Sequence, residues 1–332
     1  MNGMSKLPAS CVQRSSGPRP TADVADVGVQ VVNAMSVDVE DYFQVTAFAR
    51  IAPRCRWESF ESRVCGTTDR LLALFGDADV RATFFVLGWV AERFPDLVRR
   101  IDQAGHELAS HGFGHRLVYE MTPEQFRQDL RRARAAIEGA AGRAVLGYRA
   151  PSFSITARSM WALDVLIEEG FTYDASIFPI RHDRYGVPDA PRHPHEIRRS
   201  AGAIWEVPAS TVRCAGANLP IGGGGYFRLL PYGWTRWGIG RVNGIEKKPA
   251  VFYVHPWEID PEQPRLPAPL VTRLRHYRNL GKTESRLCRL LREFRFAPIV
   301  ELISAAAVSQ ETARQPVPAR PVPLGAVAHP NA

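Results

Sequence analysis

The sequence predicts an α/β fold, in which parallel strands form a barrel, complete or incomplete, with helices on its outside. Strand-like apolar runs alternate with amphipathic helical stretches over about 270 residues, which is typical of repeated β-α units. Polar residues of catalytic type follow several of the apolar runs, as they do at the carboxyl ends of barrel strands. With 332 residues, of which 45% are hydrophobic, the chain can bury a substantial core.

The expected elements follow one another in a regular order. "MTPEQF" predicts a helix start with Thr122 as N-cap, Pro123 in the first turn and Gln125 closing a capping box. The order is "VQVVNAMSVDV", a helix from Thr67 to Phe75, "RATFFVLG", a helix from Val90 to Ala104, "HELASHG", a helix from Thr122 to Ala140, "VLGYRAPS", a helix from Thr156 to Glu169, "FTYDASI", "IWEVPAS" and "AVFYVHPWE".

Composition sets the domain boundaries and limits the partners. Residues 1–27 and the Pro/Ala-rich residues 306–332 are expected to be disordered, and 28–305 to form one barrel with a C-terminal extension from about residue 215. The net charge of +8 comes without a recognisable nucleic-acid module, so no nucleic-acid partner is predicted. No apolar run reaches about 18 residues and no signal peptide is visible, so we expect a cytoplasmic protein, with peripheral membrane association as the alternative.

The five cysteines are scattered and form no C-x-x-C pair. This pattern argues against a thiolate zinc site and against a disulfide framework. We expect reduced, structural cysteines, with pairing of Cys55 and Cys65 in an oxidising compartment as the alternative.

A metal site is predicted by "SHGFGH", which places His111 and His115 at i and i+4 around two glycines. Two imidazoles need at least one more ligand, and "DVED" supplies carboxylates. Strand alternation puts residues 38 and 40 on one face, which favours Glu40 as the ligand; Asp41 is the alternative if the strand has already ended. Zinc is the expected ion, with cobalt or nickel as alternatives.

The segment "GGGGYFRLLPYGWTRW" combines four glycines with aromatic side chains. It lacks the Lys-Ser/Thr of a nucleotide loop, so phosphate binding is not predicted. Tyr226 and its aromatic neighbours could form a glycan subsite, and a helix packed on the barrel is an equally strong interpretation.

The ordered motifs "SVDVED", "SHGFGH", "GYRAPSF", "TYDASIF" and "FYVHPWE" resemble the polysaccharide deacetylases of carbohydrate esterase family 4. They resemble most closely the branch found beside exopolysaccharide export and exosortase gene clusters. The resemblance spans about Val31 to Leu302. It implies a distorted, often seven-stranded (β/α) barrel, metal-dependent removal of acetyl groups from N-acetylated sugars, and association with exopolysaccharide synthesis.

The resemblance also implies roles for individual residues. Asp38 matches the general base, and His111 and His115 match the metal ligands. Arg149 matches the arginine that pairs with the base. His255 matches the acid that protonates the leaving amine, with Asp174 orienting it.

Two positions depart from the family pattern. The usual adjacent aspartates are replaced by Asp38-Val39-Glu40-Asp41, and a tyrosine after the motif proline is replaced by Ser152. The oxyanion contact ascribed to that tyrosine is a backbone N–H, which serine retains. Ser152, Tyr226 and Trp257 are the expected substrate contacts.

Three functions follow from these patterns. The first is an N-deacetylase acting on N-acetylhexosamine units of a bacterial exopolysaccharide or its precursor. The second is an amidohydrolase acting on a small cyclic amide, as allantoinases do; the presence of both histidines argues against it. The third is a catalytically silent glycan-binding barrel, against which Asp38, Arg149 and His255 argue together.

Overall fold

A computed structural model describes residues 31–314, with side chains through residue 307. The segment 1–27 and residues 315–332, which the sequence predicts to be disordered, lie outside the described residues. Cys55 and Cys65 carry free thiols, so the alternative of a disulfide between them is not realised.

Eleven short strands are present in the described part of the chain. They are β1 Val32–Val39, β2 Thr83–Val86, β3 Glu107–Ser110, β4 Gly147–Tyr148, β5 Tyr173–Asp174, β6 His195–Arg199, β7 Gly202–Glu206, β8 Thr211–Cys214, β9 Ala217–Pro220, β10 Val251–Val254 and β11 Arg295–Ala297.

Nine of these strands form one sheet in the order β10-β1-β2-β3-β4-β5-β7-β6, with β11 also paired to β1. Only β6 pairs antiparallel within it, so β10, β1 to β5 and β7 make a seven-stranded parallel wall. The predicted distorted (β/α) barrel is confirmed.

The barrel is closed between β7 and β10 by segments that are not regular strands. Ser210 N–H, beyond β7, donates to the carbonyl of Val251, and Tyr253 N–H donates to the carbonyl of Gly222 at 2.7 Å. Gly223 has φ +119° and lies so close to β10 that a Cβ would be 2.0 Å from the Tyr253 oxygen. The glycine run therefore closes the barrel by a backbone approach that only glycine allows.

Ten α-helices surround the wall in the described residues. They are α1 Val64–Asp77, α2 Gly88–Arg93, α3 Pro95–Gln103, α4 Pro123–Ala141, α5 Ala162–Glu168, α6 Gly224–Leu229, α7 Tyr232–Gly244, α8 Leu270–Tyr277, α9 Leu280–Glu293 and α10 Ile299–Arg314. Between residues 31 and 314, no helix has both the length and the apolar character needed to cross a membrane.

Two helix predictions and one expectation of disorder differ from the structure, whereas α4 agrees with its predicted capping box at Thr122 and Gln125. The single helix expected from Val90 to Ala104 is two helices, because Pro95 disfavours the α conformation at Phe94, which has φ −130° and ψ 59°. The helix expected from Thr156 begins only at Ala162. Residues 306–314, expected to be disordered, continue α10, since helix-forming residues extend almost to Pro316.

The side chains of β1 point alternately toward the helices outside the barrel and toward the barrel interior. Its residues alternate: Met35, Val37 and Val39 join the core between the strands and the helices. The intervening positions 36 and 38 face the barrel interior, where Ser36 and Asp38 both accept hydrogen bonds from the buried Arg149. The pleat thus directs Asp38 inward.

His106 gives a test of this core. Its ring packs on Phe75 and Phe84, and its Nδ1 accepts a hydrogen bond from Ala82 N–H. Burial, together with the charge of Arg81, lowers the pKa of His106 to about 4. Because the unfolded chain binds the proton more tightly, the free energy of unfolding should fall as the pH drops from about 6.5 toward about 4.

In His106→Asn, which keeps an acceptor but does not titrate, that fall should be smaller. Chemical denaturation of both proteins across this pH range measures the difference. Parallel pH curves would contradict a neutral, buried His106.

Candidate active site

The predicted site residues are carried by the carboxyl ends of the strands. Asp38 lies in β1, and Glu40 follows it directly; His111 follows β3, Arg149 follows β4 and His255 follows β10. The side chains of Asp38, Glu40, His111 and His255 line a groove of about 1020 Å³.

Glu40, His111 and His115 form a cluster of metal-ligand type. One ligand atom from each residue lies within 4.8 Å of the others. Two imidazoles and one carboxylate suit zinc and related divalent ions and leave coordination positions open.

The backbone and the hydrogen bonds fix how both imidazoles are presented. His111 Nδ1 lies 2.8 Å from the carbonyl of Arg149. Since a carbonyl only accepts, Nδ1 carries the hydrogen and Nε2 keeps a free lone pair for a metal. Burial lowers the pKa of His111 to about 4, so the ring is neutral near pH 7. His115 has φ 53°, a left-handed conformation that is uncommon for non-glycine residues and that turns the backbone at this position.

The loop between the histidines requires a glycine. Gly112 has φ +72°, and a Cβ there would be 2.9 Å from Asp129 Oδ2, which already accepts the N–H of Phe113 at 2.7 Å. Asp129 therefore holds the turn that brings His115 back toward His111.

Glu40 is buried and ionised. Burial opposes its charge, but the nearby His115, His255 and His111 outweigh burial and lower its pKa to about 2. Trp257 Nε1 donates to Oε1 at 3.1 Å. Oε2 lies 2.8 Å from His115 Nε2, yet it accepts no well-formed hydrogen bond from the described residues. A divalent ion would satisfy this oxygen, so the residues present fit a metal.

Asp41, the alternative ligand, lies outside this cluster. Its carboxylate accepts from Ser62 Oγ at 2.6 Å and from the backbone N–H groups of Tyr42, Arg63 and Val64. Asp41 thus binds the start of α1, and the structure corrects its expected place among the metal ligands. The chain has already left β1 at residue 40, and the side chain at 41 turns toward the helix.

Asp38 and Arg149 form a buried ion pair. Arg149 Nη1 donates to Asp38 Oδ1 at 2.7 Å, and both side chains are almost fully buried. The structure therefore brings these two residues together as the sequence predicted, with Asp38 Oδ2 facing His255 Nε2 at 3.8 Å.

His255 pairs with Glu258, not with Asp174. Glu258 Oε2 lies 3.0 Å from His255 Nδ1 and also accepts the His255 backbone N–H. Burial disfavours the imidazolium, but Glu258, Glu40 and Asp38 outweigh burial and raise the pKa of His255 to about 9. His255 is therefore protonated near pH 7. Sequence reasoning missed Glu258, although the i, i+3 spacing in "HPWE" was a usable signal.

Asp174 lies deeper in the barrel. It accepts a hydrogen bond from Ser176 and lies beside Glu206, its register partner on the neighbouring strand β7. Burial raises the pKa of both carboxyl groups, and the charge of Asp174 raises that of Glu206 further. One proton held between these two buried carboxyl groups would relieve their repulsion, so we interpret Asp174 and Glu206 as a structural pair. The predicted contact of Asp174 with His255 is replaced by the contact of Glu258.

The three predicted substrate contacts all line the groove. Ser152 has φ 53°, and its Oγ lies 2.7 Å from Thr46 Oγ1. Tyr226 shares a hydrogen bond with Tyr185 at 3.1 Å. Trp257 is 6% exposed and stacks on His255, so it supports the site more than it presents a face to solvent.

Comparison with known families accounts for most of the described chain. Residues 54–172 match the model of the polysaccharide deacetylase family. The chain carries a polysaccharide deacetylase domain. Residues 175–304 match a domain of unknown function, DUF3473. The predicted family resemblance is confirmed, and His255 and Glu258 fall within the DUF3473 match.

Curated relatives match part of this chain. A peptidoglycan deacetylase from Helicobacter pylori is 34% identical over 108 residues, which are 32% of this chain and 36% of the relative. A chitooligosaccharide deacetylase from Rhizobium leguminosarum is 30% identical over 109 residues, 29% of this chain and 51% of the relative. The chain spans about a third of the length of the first curated relatives it matches.

Solved structures share the fold. A protein from Mycobacterium smegmatis assigned to the polysaccharide deacetylases has a TM-score of 0.57 at 21% identity, over 92% of this chain and 99% of that one. The PuuE allantoinase has a TM-score of 0.55 at 15% identity, with the same coverage. At these identities the similarity establishes the architecture alone.

The cluster predicts which substitutions remove metal. His111→Ala and Glu40→Ala should each lower the content of divalent metal in the purified protein and weaken zinc or cobalt binding about 10- to 100-fold or more, because each removes one potential ligand atom from the cluster. Asp41→Asn should keep its metal, since residue 41 faces α1.

Elemental analysis and titration with cobalt, followed by its absorption spectrum, measure these effects. Normal metal content in Glu40→Ala together with loss in Asp41→Asn would contradict the assignment of Glu40.

Proposed function

We propose that this protein is a metal-dependent N-deacetylase that removes acetyl groups from N-acetylhexosamine units of a bacterial exopolysaccharide or its precursor. The main observation in support of this proposal is that three kinds of group lie together in one groove. These are a cluster of metal-ligand type, a carboxylate paired to Arg149, and the protonated His255. Deacetylation needs all three functions, whereas glycan binding alone needs none of them.

A divalent ion held by Glu40, His111 and His115, with zinc the first candidate, would polarise the acetyl carbonyl and acidify water. Asp38 would accept the proton of the attacking water, and Arg149 would keep that carboxylate oriented between steps. His255 Nε2 faces the same space and would donate a proton to the departing amine, while Glu258 holds its Nδ1. Protonation matters because an amine leaves poorly as an anion.

The shape of the groove favours a glycan over a small cyclic amide. Its volume of about 1020 Å³ is at the upper end for ligand pockets and far exceeds the needs of a single small ring. Tyr226 lies along it, in edge contact with Phe178, and would offer a flat face of the kind on which sugar rings stack, whereas the ring of Tyr185 is stacked on His182 and braces Tyr226 through its hydroxyl. The deacetylases named among the relatives act on glycans, and the order of the motifs supports an exopolysaccharide and its synthesis machinery as the setting.

Acetate release from N-acetylglucosamine oligomers tests the proposal. Asp38→Asn should lower kcat about 10²- to 10⁴-fold, because it removes the proton acceptor and leaves its hydrogen-bonding shape. His255→Gln should also lower kcat, since the amine would then leave without a positioned donor. Both variants should retain bound metal.

Ile245→Gln, a change on an exposed side chain outside the groove, is the matched control and should release acetate at the wild-type rate. Absence of acetate from every amino-sugar polymer offered to metal-loaded protein would exclude the deacetylase. Turnover of allantoin under the same conditions would support the amidohydrolase instead.

A further inference from the structure

The helix α8 is unusual in exposing its apolar side chains. Leu270 is 69% exposed, Val271 59% and Leu274 54%, and His276 is the only buried residue of the helix. These three residues, called here the α8 patch, do not line the groove. Positions 270, 271 and 274 lie within about 100° on a helix, so the three side chains form one contiguous apolar face.

Positive charge borders the α8 patch. Arg273, Arg275 and Arg278 are exposed, and none of them forms an ion pair with a carboxylate among the described side chains. A partner that covers the patch would therefore meet unpaired guanidinium groups around an apolar centre. Guanidinium groups match phosphate oxygens well, often through two parallel hydrogen bonds.

The α8 helix is anchored although its outer face is bare. The His276 ring stacks on Trp257 with centroids 4.2 Å apart, and its Nε2 is 2.8 Å from Gln263 Oε1. Arg228 donates to the carbonyls of Arg275 and His276 at 2.9 and 2.7 Å. The exposure of the patch is therefore a property of a fixed helix.

A second copy of the chain fits the patch poorly. A stable dimer buries roughly 800 Å² on each partner, far more than three side chains provide. Two copies meeting at this face would also bring their arginine clusters together. A bilayer with anionic headgroups meets neither difficulty, because lipids offer apolar and anionic groups side by side.

We propose that the α8 patch docks on the surface of a membrane that contains anionic lipids. Leu270, Val271 and Leu274 enter the boundary between headgroups and acyl chains, while the neighbouring arginines contact lipid phosphates. Thr272 and Arg275 of the same helix line the groove, so docking sets the mouth of the groove beside the bilayer. Lipid binding does not depend on the proposed deacetylase activity and is tested separately.

The test is co-sedimentation of the full chain with phosphatidylcholine vesicles, with and without phosphatidylglycerol. Wild type should bind the anionic vesicles, and less so as salt is raised. The triple variant Leu270→Gln, Val271→Gln, Leu274→Gln should bind about tenfold or more weakly, because it removes the apolar contacts. Arg273→Gln with Arg278→Gln should remove the preference for phosphatidylglycerol.

The matched control is Leu146→Gln, Ile245→Gln, Val300→Gln, which changes three exposed apolar side chains outside α8 that are 45%, 67% and 41% exposed. It should bind vesicles like wild type. No vesicle binding by wild type, or equal binding by the α8 triple variant, would overturn the proposal. A concentration-dependent dimer that the α8 triple variant abolishes, without vesicle binding, would assign the patch to a second copy and overturn it equally.

Discussion

The buried side chain of Arg149 is the interaction on which the site depends. Its guanidinium donates to Asp38 Oδ1, to Ser36 Oγ and to the carbonyl of Ala175, and its own carbonyl faces His111 Nδ1. Arg149, which follows β4, therefore orients both the carboxylate of Asp38 in β1 and the imidazole of His111 after β3. The guanidinium of Arg149 is the countercharge that contacts the buried carboxylate of Asp38, and removal of one partner from a buried ion pair costs about 3–5 kcal/mol.

The site is completed by the region that matches a domain of unknown function. Residues 175–304 supply β10, which pairs with β1, and they also supply His255, Glu258 and Tyr226. The metal-type histidines and Arg149 come from the deacetylase match at 54–172, and Asp38 and Glu40 precede it. The two matched regions thus build one barrel and one groove. Neither matched region by itself contains His255 together with Glu40, His111 and His115.

Much of this arrangement could be predicted because parallel strands bring their carboxyl ends together. The pleat of β1 favours Glu40 over Asp41, and Glu40 is the residue beside the histidines, although β1 ends at Val39 and the alternation therefore had to persist one residue beyond the strand. Strand alternation does not identify the partner of His255, for which the i, i+3 spacing to Glu258 was the available signal. Asp174 and Glu258 are both acidic residues near strand ends, and only the path of the chain after β10 decides that Glu258 reaches the imidazole. Strand alternation is local, whereas the segment after β10 packs against α1 and α9, which come from distant parts of the sequence.

The buried side chain of Arg228 contacts both Glu258, the partner of His255, and the helix α8 at the surface. It is 3% exposed, its Nε donates to Glu258 Oε1 at 2.6 Å, and its Nη1 donates to the last carbonyls of α8. Glu258 in turn holds His255, so a chain of charge-assisted contacts runs from the imidazole to the helix that carries the α8 patch. A displaced α8 would leave a buried guanidinium without its acceptors, at a cost of about 1–3 kcal/mol or more. The position of α8 and the orientation of His255 are therefore set by the same buried charge.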